Sequence, residues 1–153
     1  MAAHTRLLGL GNEILGDDAF GILVAREVCA RMSPDEVEVV TSSVSGLHLL
    51  DHILDCSRLI IVDTVQTGRA EPGTIYVLRE EDLPASRADC PHGVGLFDAL
   101  ALARKLGLQV PDEVSILAVE AADCLTVGGT MHASVQAAIS KMVDLVCSLE
   151  TCR

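Results

Sequence analysis

The sequence predicts an α/β fold: a three-layer α/β/α sandwich around a mostly parallel, twisted sheet of about five strands, one of them antiparallel. Three observations lead there. Short apolar runs alternate along the chain with segments of helical period. The first run breaks into Gly9-Leu-Gly11 and then an amphipathic segment, the way a parallel strand hands over to a crossover helix. The run Leu59-Ile-Ile-Val62 is apolar at every position, which suits a strand covered on both faces. At 153 residues, with no repeat, linker or low-complexity stretch, residues 1–153 are expected to form a single domain.

Arg6–Leu10 reads as a short buried strand. Ala19–Met32 follows as a helix, with Phe20, Leu23, Val24 and Val28 inward and Arg26, Glu27 and Arg31 on its wet face. Ser33-Pro34-Asp35 ends it, and Val37–Thr41 is the second strand. Ser45 and Gly46 open a helix expected to run through Asp55, with Leu47, Leu50, Ile53 and Leu54 on one side. Arg58–Asp63 is the third strand and is expected to stop on its carboxylate. After the turn-rich passage Gly68–Gly73, Thr74–Leu78 is expected to be a strand at or near the sheet edge, paired antiparallel as in a hairpin, because no helix-length segment precedes it. Arg79–Pro91 is charged and irregular. Leu96–Leu106 is a helix with Arg104 and Lys105 in its last turn and Gly107 as its stop. Val114–Val119 is the last strand, and Met131–Leu149 a closing helix with Val135, Ile139, Met142, Val146 and Leu149 along its apolar stripe.

Composition excludes several functions. The formal net charge of −11 argues against nucleic acid, whose phosphates draw basic faces, and is compatible with a cation or a positively charged partner. No apolar run approaches the roughly 20 residues of a spanning helix, and the N-terminus lacks a signal-peptide pattern. Six scattered cysteines form no C-x-x-C pair, so the chain reads as a reduced, cytoplasmic protein. Cys29 and Cys147, inside helical patterns, are expected to act as small hydrophobes.

In a parallel sheet, ligands bind beyond the carboxyl ends of the strands. Asp17 and Asp18 after the first strand, Asp63 at the end of the third and His92 after the fourth should converge there. Two carboxylates and an imidazole suit a borderline divalent metal such as nickel or zinc. Each has a plainer role as well. An Asp at a helix start is commonly a cap, and His92 beside Pro91 can be a solvated loop residue. Asp63 is harder to explain away, because a carboxylate beside four apolar residues must be paired or functional.

Rival sites are weaker. His48 and His52 have a zinc-chelating spacing, but Leu-Leu-Asp between them lacks the glutamate of H-E-x-x-H. Cys90-Pro-His92 suggests a thiol nucleophile, yet residues two apart need not form a dyad. Glu120 and Asp123 can support the site or simply cap. A dinucleotide fingerprint would need glycine where Ile14 stands, and Glu13, Asp17 and Asp18 would repel a pyrophosphate. A phosphorylation receiver would need a lysine after the last strand, where Val119-Glu120-Ala121 stands.

Three stretches then coincide: Gly9-Leu-Gly-Asn12 followed by Asp17-Asp18 and Gly21, Leu59-Ile-Ile-Val-Asp63, and Pro91-His92-Gly-Val-Gly-Leu96. In this order they resemble the hydrogenase maturation endopeptidases, and the resemblance runs from about Arg6 to Ile139. It implies a cytoplasmic peptidase, aspartic-type or metal-assisted, that removes a C-terminal peptide from the precursor of a nickel-containing hydrogenase large subunit after nickel insertion. The family's metal-contacting residues map onto Asp18, Asp63 and His92, with Asp17 positioning the turn and Glu13 unassigned. Nickel would be carried by the substrate, another divalent ion could occupy the site in isolation, and the enzyme is expected to be a monomer. A non-catalytic nickel-sensing chaperone and a generic metallohydrolase are the alternatives, to be separated by whether the precursor loses its tail and whether small esters or amides turn over.

Overall fold

The computed structural model describes residues 4–79 and 96–151. Its five strands are β1 (Thr5–Leu10), β2 (Glu38–Ser42), β3 (Arg58–Val65), β4 (Ile75–Arg79) and β5 (Glu113–Glu120). Four helices accompany them: α1 (Phe20–Arg31), α2 (Leu50–Ile53), α3 (Leu96–Lys105) and α4 (Ala133–Thr151). The strands lie in the order β2-β1-β3-β5-β4, and among the described residues only the β4–β5 strand pair is antiparallel. This is the predicted sandwich, with β4 at the predicted edge.

Strand alternation sorts the side chains into two cores. Leu7, Ile60, Val62, Leu117 and Val119 pack with Phe20, Val24 and Val28 of α1 and Val135, Met142 and Val146 of α4. Leu8, Leu10, Leu59, Ile61, Val114 and Ile116 pack against Leu49, Ile53 and the Leu96, Phe97 and Leu100 face of α3. Phe20 is fully buried, worth about 2–3 kcal/mol, and pins the start of α1 to the sheet beside the Asp17-Asp18 turn. Among the described residues, no helix is long and apolar enough to cross a membrane.

Several boundaries differ from expectation. The Ala19–Met32 helix is preceded by a 3-10 turn over Gly16–Ala19, and Ile22 and Ala25 are buried while Leu23 is only half-buried. The Ser45–Asp55 helix shrinks to a 3-10 turn at Gly46–Leu49 plus the single turn of α2; Leu47 is exposed and Leu49 takes the inward place. The backbone turns extended at Leu54, which ends the helix, and Asp55 follows with positive φ. In α4, Ala138 and Val143 share the stripe, and Ile139 and Leu149 lie at its half-buried margin. Cys29 is exposed rather than packed. The stop of α3 is as predicted: Gly107 has φ +70, and the N–H groups of Gly107 and Leu108 donate to the carbonyls of Arg104 and Ala103.

Strand β3 does not stop at Asp63. It continues through Thr64 and Val65, which register with Val119 and Glu120. The carboxylate of Asp63 therefore stands inside a central strand, opposite Ala118. From β1 the chain crosses to β2 on one side, and β3 returns on the other, so the β1–β3 boundary is the switch in strand order.

Candidate functional site

The glycines that follow β1 act through close approach. At Gly21 a β-carbon would strike the carbonyl oxygen of Leu10 and sit 2.5 Å from that of Val62, both strand backbone. At Gly11, where φ is +156, it would collide with the Asp18 carbonyl. Only glycine lets the turn fold this tightly, and the turn is knotted by its own backbone. Asn12 N–H donates to the Asp18 carbonyl at 3.1 Å and Asp18 N–H to that of Leu15 at 2.8 Å. The result delivers Asp17 and Asp18 to the carboxyl ends of β1 and β3.

Asp17, Asp18 and Asp63 are 1%, 3% and 2% exposed, so three carboxylates are buried within one end of the sheet. Burial of this kind requires donors, and each carboxylate has a different set. Asp17 Oδ2 accepts the backbone N–H groups of Ala122 at 2.7 Å and Asp123 at 2.9 Å, while Oδ1 accepts that of His132 at 2.7 Å. It does not cap its own 3-10 turn; it ties the segment between β5 and α4 to the turn after β1. The expected positioning role is present, though exerted across more than a hundred residues of chain rather than on its own turn.

Asp18 and Asp63 are linked through a residue that the sequence reading did not single out. The Thr64 hydroxyl donates to Asp18 Oδ1 at 3.0 Å, and the Thr64 backbone N–H donates to Asp63 Oδ1 at 2.7 Å. Thr64 is fully buried, and the Cys124 thiol donates to its hydroxyl oxygen at 3.4 Å. Burial, opposed by the hydrogen bond with Thr64 and aided to a smaller degree by Asp18, Asp17 and Asp63 nearby, pushes the Cys124 thiol up to about 11, so it remains protonated at neutral pH. The signal for Thr64 was a polar residue directly after Asp63 in an otherwise apolar strand. Cys124 carried no comparable signal.

The other candidates resolve by their partners. Glu120 accepts from the N–H groups of Thr67 and Gly68 and from the hydroxyls of Thr67 and Tyr76, which holds the loop after β3. Asp123 closes a local turn by accepting from Leu125 and Thr126, bonds that hold its carboxyl below the usual range. Glu13 pairs at the surface with Arg26. His52 meets the Ser42 hydroxyl at 3.2 Å and His48 is exposed. Among the described residues, no three of His, Cys, Asp and Glu gather as a metal-holding group. Cys90 and His92 lie outside the described residues, as does nearly all of the irregular Arg79–Pro91 passage.

Chemically, two buried carboxylates on neighbouring elements supply hard oxygen ligands for a cation and a base able to take a proton from water. Neither carboxylate comes from a mobile tip: one is held by the glycine turn, the other by a central strand.

Comparison with known proteins adds a family. The model of the family described as HycI, hydrogenase maturation protease, matches residues 22–149, a span that includes Asp63 and His92 and begins just after Asp18. In sequence the chain is similar to the hydrogenase 2 maturation protease of Escherichia coli K12, 33% identical over 116 residues, covering 74% of this chain and 70% of that protein. It is also similar to the hydrogenase expression/formation protein HupD of Bradyrhizobium diazoefficiens, 26% identical over 147 residues, covering 94% and 76%. In structure it is similar to the hydrogenase maturating endopeptidase HybD from E. coli, with a TM-score of 0.81 at 27% identity, over 95% of this chain and 91% of that one.

Proposed function

The chain belongs to the hydrogenase maturation protease family and is a peptidase, and from that premise we propose that it removes the C-terminal extension of a nickel-containing hydrogenase large-subunit precursor once nickel is inserted. The observation that carries this reading is the pair of buried carboxylates, Asp18 and Asp63, held at the switch in strand order and joined through Thr64. A peptidase needs a base for water and a means of telling a finished substrate from an unfinished one. Asp18 and Asp63, together with His92, are proposed to contact the nickel that the precursor already holds.

In this reading the metal belongs to the substrate. Two oxygens and one imidazole are weaker partners for a thiolate-bound nickel than a set of cysteines, which favours contact without extraction. A precursor without nickel presents nothing for the three groups to grip, so cleavage follows maturation. In the isolated enzyme another divalent ion can take the same place. Hydrolysis requires proton removal from the attacking water and proton return to the leaving amine. Asp18 or Asp63 takes the first duty. The enzyme is proposed to act in the cytoplasm, as a monomer.

The test follows the precursor's mass. Nickel-loaded precursor should lose a C-terminal peptide on incubation with the enzyme, and metal-free precursor should stay intact. Asp18→Ala, Asp63→Ala and His92→Ala should each abolish the loss while circular dichroism remains unchanged. Asp18→Asn and Asp63→Asn separate the duties, since an amide keeps an oxygen ligand but is no base. An intact tail on nickel-loaded precursor, or normal processing by all three alanine variants, would overturn the proposal.

A further inference from the structure

The geometry points to Thr64 as a positioning residue that holds both carboxylates of the site in one arrangement, its hydroxyl aimed at Asp18 by the thiol of Cys124. This rests on the site proposed above and names a residue on which that site depends. By strand alternation Asp63 falls on the face of Leu59 and Ile61, under α3, while Thr64 falls on the face of Ile60 and Val62, under α1. Thr64 nevertheless bonds both carboxylates at this end of the sheet. Its backbone N–H takes Asp63 Oδ1 at 2.7 Å on one side; its hydroxyl takes Asp18 Oδ1 at 3.0 Å on the other.

The direction of the hydroxyl proton is set by what lies behind it. A threonine hydroxyl has one proton and two lone pairs. The Cys124 S–H donates into that oxygen at 3.4 Å, so the hydroxyl's own proton is directed to Asp18. The threonine is fully buried and β-branched, which leaves few rotamers for the oxygen to explore. One hydrogen bond from a fixed donor restrains the rotation of the Asp18 carboxylate and so the direction in which it meets a ligand. Cys124 belongs to the segment that Asp17 ties to the turn after β1, so the second acidic residue of the pair is oriented partly through the first. Supports of this kind around ligating carboxylates typically carry a 10–100-fold effect on activity or metal affinity.

Thr64→Val keeps the branched shape and the backbone N–H to Asp63 and removes only the hydroxyl. With nickel-loaded precursor as substrate and product followed by mass, kcat should fall about 10–100-fold with KM little changed. Thr64→Ser should return kcat to near the wild-type value. A merely structural threonine would instead show a lowered melting temperature, an unchanged kcat for the folded fraction and no rescue by serine. The inference is overturned if Thr64→Val turns over at the wild-type kcat, if its loss lies wholly in KM, or if serine is as slow as valine. Those results leave the proposed function intact when Asp18→Ala remains inactive in the same assay. If the wild-type enzyme leaves the loaded precursor uncut, the function falls and this inference with it.

Discussion

Asp17→Asn replaces one oxygen with an NH2 group and otherwise preserves size, yet the structure predicts a large loss of stability. All three partners of the Asp17 carboxylate are backbone donors: Ala122 and Asp123 on Oδ2, His132 on Oδ1. An amide can turn its oxygen toward only one side, so at least one N–H is left facing another donor in a site where Asp17 is 1% exposed. Hydrogen bonds to a charged group contribute about 1.5–3 kcal/mol each, and a donor left unsatisfied costs about 1–3 kcal/mol. Ala122 and His132 are exposed as residues and their bonds to Asp17 only part-buried, which places the loss toward the lower end, at about 3–4 kcal/mol. For a domain of this size that lowers Tm by roughly 6–16 °C. Thermal unfolding followed by circular dichroism measures it, and hydrogen exchange should quicken at the amides of Ala122, Asp123 and His132. Asp17→Ala should be at least as damaging. An Asp17→Asn protein melting within about 2 °C of wild type would refute the assignment of Asp17 as the tie between the two segments.

Two further expectations test separate parts of the structure. In an exposed helix Gly→Ala stabilises by about 1 kcal/mol, but Gly21→Ala should destabilise by about 3 kcal/mol, because its new carbon meets the Leu10 and Val62 carbonyls of two strands. Urea unfolding gives the sign directly, and a stabilised variant would show that α1 does not lie that close to the sheet. Iodoacetamide at pH 8 should modify exposed Cys29 readily and leave Cys124 unmodified until the chain unfolds. The Cys124 thiol, buried and pushed up to about 11, is about one part in a thousand thiolate at that pH. Its labelling should accelerate as pH rises toward 11, and peptide mass spectra showing equal rates for the two cysteines at pH 8 would contradict the burial.

Much of this molecule is legible in its residue pattern, because hydrophobic period and turn chemistry are local. Gly9–Gly21 announces a tight strand-to-helix turn, the unbroken Leu59–Val62 run announces a central strand, and the absence of a helix before Thr74 announces the antiparallel edge. Asp63 stands out for the same reason, as a carboxylate beside four apolar residues, whereas Asp18 stands at a helix start where a cap is ordinary and is singled out by the family resemblance. Local pattern fails where long-range packing decides. The Ser45–Asp55 segment has a helical period but resolves into a 3-10 turn and one α-helical turn, because Leu49 rather than Leu47 finds room against α3. Strand β3 outruns its carboxylate because β5 continues to pair with Thr64 and Val65.

What the sequence alone determined is the class of fold, the sheet's antiparallel strand and the identity of three acidic residues, Asp17, Asp18 and Asp63, destined for its carboxyl end. What only the tertiary structure decided is how those residues are held. Asp17 answers to amides more than a hundred positions away, Asp18 and Asp63 meet through Thr64, and Thr64 is backed by Cys124 from beyond β5. A hydrogen bond depends on distance in space and leaves no period in the chain. The acids could be read from their neighbours in sequence, but their supports exist only once β1, β3 and the segment after β5 lie side by side.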